Sequence, residues 1–270
     1  MHTCKKYLSL FRLRFNMGLQ YRVAALSGVL TQFVWGILRI LAFHAFYRSD
    51  PAAFPMTIEA TVNYVWMQQA FLAIFALWSS DREIFESIRT GGVAYELCRP
   101  TSIYAMWFSK DLSTRLSNTF LRCIPILLFS ALFPAGYRLT LADSAMSFLS
   151  FIPSFILGTL LASAITVLIY VLTFFTISPN GIRSIFMALT DILSGFLIPL
   201  PFFPDGLREI CDALPFAAVG STPLRIYSGD IAGMDILYAM LLQVFWLAVI
   251  VLIGALLMRK ALRRVVVQGG

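Results

Sequence analysis

The chain has 270 residues, 59% hydrophobic and only 13% charged, with a mean hydropathy of +0.80. Soluble domains hold about 45–50% apolar residues, so this excess excludes a water-soluble fold. Apolar runs of about 20 residues point to an all-α integral membrane protein instead of a barrel of short alternating strands. The formal charge of +7 fits basic flanks on the cytosolic side of a membrane, with no nucleic acid as partner.

Residues 3–22 carry Lys5, Lys6, Arg12, Arg14 and Arg22, while Leu8, Phe11, Phe15 and Leu19 recur at helical spacing. This pattern predicts an amphipathic helix on the cytosolic leaflet. The apolar run that follows is too long for a signal-peptide core, so no cleavage is expected. Six runs, 23–47, 60–79, 116–133, 146–176, 182–200 and 236–258, are each long enough for a span, giving about six transmembrane helices. The fourth is expected to tilt, or to bend at Pro153.

Residues 201–235 are too apolar for an exposed loop. Leu207, Ile210, Cys211 and Leu214 share a helical face after the possible cap Asp205, bracketed by Pro204 and Pro215, and a second piece covers 219–227 with Pro223 inside it. Both are too short to span and read as re-entrant helices dipping into the outer leaflet before the last span. The basic tail 259–270 is expected at the cytosolic face. With both termini cytosolic, fifteen Lys and Arg fall on inner segments and four on outer ones, with Arg39 and Arg122 inside spans. The positive-inside rule fixes that orientation. No repeat or linker divides the chain, so residues 1–270 form one membrane domain.

The longest polar interruption is 80–103, which this topology places in the cytosol after the second run. It holds Asp81, Arg82, Glu83, Glu86, Arg89, Glu96 and Arg99. Ser79 or Ser80 can cap a helix through Arg89, Gly91-Gly92 can end it, 93–98 can form a further turn, and Pro100 stops that turn. The stretch reads as a handle gripped by another protein, with an ordinary solvated loop as the alternative.

Catalytic motifs are missing. No phosphate-binding loop and no nucleophile elbow occur. His2 and His44 are the only histidines, and Cys4, Cys98, Cys123 and Cys211 lie far apart. No metal site, disulfide framework or cofactor bound by this chain is expected. The acidic residues of the handle alternate with arginines, as on a solvated face. Within the spans Arg39, His44, Arg122 and Asp191 are ionisable. Such groups need a partner or a wet cavity. Arg39 is expected to snorkel; Arg122 and Asp191, both in the inner halves of their spans, are expected to pair as a structural contact, with a gate as the alternative. Gly158 and Ala162, like Thr159 and Ser163, suit close helix packing within the subunit or across a dimer.

The segments GGVAYELCRP (91–100), LPFAAVGSTPLRIYSGD (214–230) and the terminal Gln268-Gly269-Gly270, set in this layout, resemble a bacterial ATP-binding-cassette transporter permease of the type-2 exporter class. The resemblance covers nearly the whole chain. It implies that the loop after the second span couples to a separate ATPase subunit. On this chain the role falls to Asp81, Glu83, Glu86, Arg89, Gly91, Gly92, Tyr95, Glu96, Arg99 and Pro100, with Tyr95, Glu96 and Arg99 as contacts. It further implies a second permease subunit, identical or homologous, and ATP held by the partner. It also implies an address in the bacterial cytoplasmic membrane and outward movement of a lipophilic, amphipathic or peptide-like cargo. A membrane scaffold, a membrane enzyme of another kind, or an importer is the competing reading.

Overall fold

A computed structural model describes residues 2–20, 22–77, 80–176 and 179–263. Ser79 and the terminal Gln268-Gly269-Gly270 lie outside them. All regular secondary structure among the described residues is helical. Helix α1 is His2–Gly18, α2 Arg22–Ser49, α3 Ile58–Ala70, α4 Leu72–Phe75, α5 Arg82–Arg89 and α6 Val93–Leu97. They are followed by α7 Ile103–Ala131, α8 Ala145–Thr173, α9 Pro179–Leu193, a 3-10 turn Leu200–Phe202, α10 Asp205–Ala213, α11 Pro215–Tyr227 and α12 Met234–Leu262.

Among the described residues, three helices are long and apolar enough to cross a membrane: Ala25–Ser49 of α2, Ala145–Thr173 and Met234–Leu262. They divide by position. Helix α8 is largely buried and forms the axis of the bundle; α2 and α12 are mostly exposed and turn apolar side chains such as Leu30, Leu38, Leu241 and Leu252 outward. Helices α11 and α12 pack on α8, and α2 and α3 pack with α7.

The other three expected spans take different forms. Run 60–79 is divided at Phe71 into α3 and α4. Run 182–200 is helical only to Leu193; Gly195, at φ +72, reverses the chain against Leu200. Helix α7 has 29 residues, but its first half buries Lys110, Asp111, Ser113, Arg115, Ser117 and Thr119. That polar half is wrapped by protein: α1 lies along it, with Tyr7 near Ser109 and Phe15 against Phe120. Gly18 of α1 sits so close that a Cβ would lie 2.2 Å from the Ser117 hydroxyl. Leu8, Leu13 and Met17 face the other way and stay exposed. The expected amphipathic helix is therefore present, docked lengthwise on α7.

At the end of the bundle far from α5 and α6, α10 and α11 form the two short helices expected there. The second starts earlier than 219, because Pro215 at its first turn needs no hydrogen-bond donor. Pro223 lies inside it and leaves the Val219 carbonyl without its usual partner. Helix α8 meets that carbonyl at Gly158, where a Cβ would lie only 2.3 Å from the oxygen. The small-residue position thus serves packing within the subunit. Beside it, buried Gln243 of α12 donates to the Ala218 carbonyl at 2.8 Å and to Ser154 O at 3.1 Å, and accepts from the Ser154 hydroxyl at 2.9 Å.

Candidate functional site

Residues 80–103 fold into a small lobe capping one end of the bundle. Asp81 starts α5, its carboxylate accepting from the Glu83 amide at 2.9 Å. Asp81 is the cap, in place of Ser79 or Ser80, because its charge also favours the positive end of the helix. Thr90 closes α5 with its hydroxyl on the Glu86 carbonyl at 2.8 Å. Gly91, at φ +75, turns the chain into α6, a conformation that only glycine adopts cheaply. Gly92 has ordinary helical angles and precedes Val93 at the start of α6.

One face of the lobe is apolar and fully sunk. Ile84 and Val93 pack with Trp107 of α7, Tyr170 and Val171 of α8, and Met258 of α12. Polar fastenings surround that core. The Tyr170 hydroxyl accepts from the Asp81 amide at 2.6 Å. Arg14 of α1 pairs with Glu83 at 2.6 Å, and its hydrogen bond and charge hold the Glu83 carboxyl below the usual range. Tyr7 accepts from the Ser102 amide at 2.9 Å, and Lys6 donates to the Pro100 carbonyl. The lobe is thus fixed to α1, α7 and α8 together.

The expected contact residues separate into two groups. Glu96 turns inward: its carboxylate accepts from the Trp107 indole at 2.8 Å and lies 3.7 Å from the Lys110 ammonium. Its side chain is only 16% exposed. Asp81 and Glu83 are likewise engaged with the bundle. Tyr95, in contrast, is 82% exposed, and Arg82, Arg99, Pro100 and the Glu86–Arg89 pair, 2.6 Å apart, are exposed as well. An exposed tyrosine and exposed arginines are residue types enriched at protein-binding hot spots.

The four intramembrane ionisable residues do not form one cluster. Arg122 and Asp191 are not joined. Helix α9 packs on α8 and α11, whereas α7 packs on α1, α2, α3 and α8. Arg122 lies instead in the notch left by Gly28 of α2, where a Cβ would be 2.7 Å from its guanidinium carbon. Among the described residues neither side chain has an ion-pair partner. Arg39 does not snorkel. Its Nη1 donates to Gln68 Oε1 at 2.6 Å and to the Phe196 carbonyl at 3.0 Å, and the guanidinium sits 5.3 Å above the Phe196 ring. Gln68 donates to the same carbonyl at 3.0 Å. Two polar side chains thereby satisfy the backbone freed where α9 stops. His44 bonds the Gly136 carbonyl at 2.7 Å and stacks on Tyr137.

Two ionic clusters escaped the sequence reading. Arg115, wholly buried, pairs with Asp111 at 2.6 Å and donates to the carbonyls of Ile74 and Ala76 and to the Thr166 hydroxyl. It holds the broken end of α4 just before the lobe begins. Arg225 of α11 pairs with Asp212 of α10 at 2.7 Å and with Asp230 at 2.5 Å, fastening the two short helices. The i, i+4 spacing of Asp111 and Arg115 was the available signal for the first. Only the SGD turn at 228–230 hinted at the second.

Residues 21–269 match the sequence model of the ABC-2 family transporter protein, which is nearly the whole chain. The chain belongs to the ABC-2 transporter family. No curated protein matches it. An ABC-2 membrane protein is the transmembrane component of a transporter and works with a separate ABC ATPase. In this ABC-2 chain the lobe is a surface that is rigidly backed and openly presented.

Proposed function

We infer that this permease subunit drives export across the bacterial cytoplasmic membrane, with the lobe as the cytosolic seat of its ATPase and both termini on that side. The observation that carries the reading is the division within the lobe: Tyr95, Arg99 and the Glu86–Arg89 pair face out, while Ile84, Val93, Asp81 and Glu96 bind it to α7 and α8. A lobe so fastened transmits force to both helices as one body. ATP binding by the partner closes two ATPase subunits on each other and moves two lobes, one on each of two permease subunits. No cofactor is needed on this chain. The apolar outward faces of α2 and α12 suit lipid and a second permease, and an apolar path between permeases suits a lipophilic, amphipathic or peptide-like cargo.

Replacing Tyr95 and Arg99 with alanine tests the assignment. ATPase co-purification and permease-stimulated ATP hydrolysis are expected to fall at least tenfold, with the permease still folded. Wild-type values of both would overturn it.

A further inference from the structure

Arg39 poses a physical problem that its hydrogen bonds do not solve. Both its acceptors, Gln68 and the Phe196 carbonyl, are neutral, and both use Nη1. Nε and Nη2 carry further donors, and no carboxylate of the described chain pairs with this guanidinium. A charge within a span that has no counter-ion is costly. It is retained here beside a cavity of about 390 Å³ that Arg39 itself lines.

Apart from Asp50, the rest of that cavity is lined by apolar residues. Phe43, Phe46, Phe54, Leu197 and Phe202 form its walls. The rings are firmly packed: Phe54 and Phe202 have centroids 4.8 Å apart, and Phe43 and Phe202 5.1 Å. The volume is that of a small-molecule site. Asp50 lies at the other end of the lining, just past the last residue of α2 and eleven residues after Arg39, so about 16 Å from it along the helix axis. Its carboxylate is occupied by the Ala52 and Ala53 amides, both at 3.2 Å. The cavity is therefore cationic at its base, greasy along its walls and anionic at its far margin.

We propose that this cavity binds an anionic amphiphile, whose carboxylate or phosphate group meets Arg39 and whose hydrocarbon lies along the phenylalanines. A single negative group at one end fits best, because Asp50 repels a second negative group at the other. Arg39 supplies a fork that matches a carboxylate or phosphate. The aromatic walls contribute burial in proportion to the chain they cover. The same chemistry is found in a membrane lipid and in a transported amphiphile. The inference stands on the cavity and not on the lobe, so loss of ATPase coupling leaves it intact.

The test uses the full chain in phosphatidylcholine nanodiscs and 11-(dansylamino)undecanoic acid, with its methyl ester as the uncharged control. The acid is expected to bind saturably and at least tenfold tighter than the ester. Arg39→Gln should abolish that preference and Arg39→Lys should keep most of it. Ala42→Phe fills the cavity without touching the bonds of Arg39 and should remove binding of both probes, which covers the case in which Arg39→Gln does not fold. Adding phosphatidylglycerol to the discs separates the sources: displacement of the probe assigns the site to lipid, and its retention to a free amphiphile. Either supports the proposal. Equal binding of acid and ester, or wild-type binding by Ala42→Phe, overturns it. So does cysteine cross-linking through Phe46→Cys that shows a second copy seated in the cavity.

Discussion

Replacing Arg115 with methionine isolates the buried cluster beneath the lobe. Arg115 and Asp111 are both almost inaccessible, and Arg115 also satisfies the carbonyls of Ile74 and Ala76. Removing one member of a buried pair costs about 3–5 kcal/mol, because the other charge is left without a partner. Stranded Asp111 takes up a proton instead of remaining charged, which limits the cost. Each orphaned carbonyl adds about 1–3 kcal/mol unless another donor reaches it. The double variant Asp111→Leu/Arg115→Met removes the stranded acid and leaves only the carbonyls. It should therefore be more stable than the single variant by about 3 kcal/mol, roughly a hundredfold in the unfolding equilibrium. Reversible unfolding in mixed dodecylmaltoside and dodecyl sulfate, followed by tryptophan fluorescence, reads both numbers. A single variant that loses less than about 1 kcal/mol, or a double variant no better than the single, refutes the assignment of Arg115 as the clamp of the α4 end.

Three further outcomes follow from the same geometry. Gly158→Ala places a methyl against the Val219 carbonyl and should cost about 1–3 kcal/mol, read as a lowered melting temperature in detergent; an unchanged value would show that α8 and α11 separate easily. Glu96→Gln removes the charge facing Lys110 and should loosen the lobe, raising hydrogen exchange across α5 and α6, whereas Tyr95→Ala should leave that exchange unchanged. The depressed Glu83 carboxyl lends stability to the α1–α5 contact that is present above the ordinary glutamate value of 4.5 and lost as pH falls through the lower folded value. Hydrogen exchange in α5 should then rise on acidification below that range, and Glu83→Gln should flatten the response.

Composition and hydrophobic runs made the helical membrane fold legible, along with the N-terminal helix, though not its docking on α7, and the two short helices before α12. The glycine pair and proline of the lobe stood out because turn chemistry is local. What stayed hidden was tertiary. Run 60–79 reads as one continuous span because nothing in it shows that Arg115, some forty residues away, accepts responsibility for its broken end. Arg122 and Asp191 shared a depth but not a neighbour, since depth follows from sequence and adjacency from packing. Glu96 read as a surface acid, and only the fold reveals the indole and the ammonium that draw it inward.

Helix α8 touches both ends of the machine. Tyr170 holds the lobe through the Asp81 amide, and twelve residues earlier, about 18 Å along the rod, Gly158 abuts the backbone of α11. On the proposed coupling role, a stroke delivered at the lobe needs no relay of side chains to be felt at α11. The helix then works as a pushrod, for as long as it does not flex.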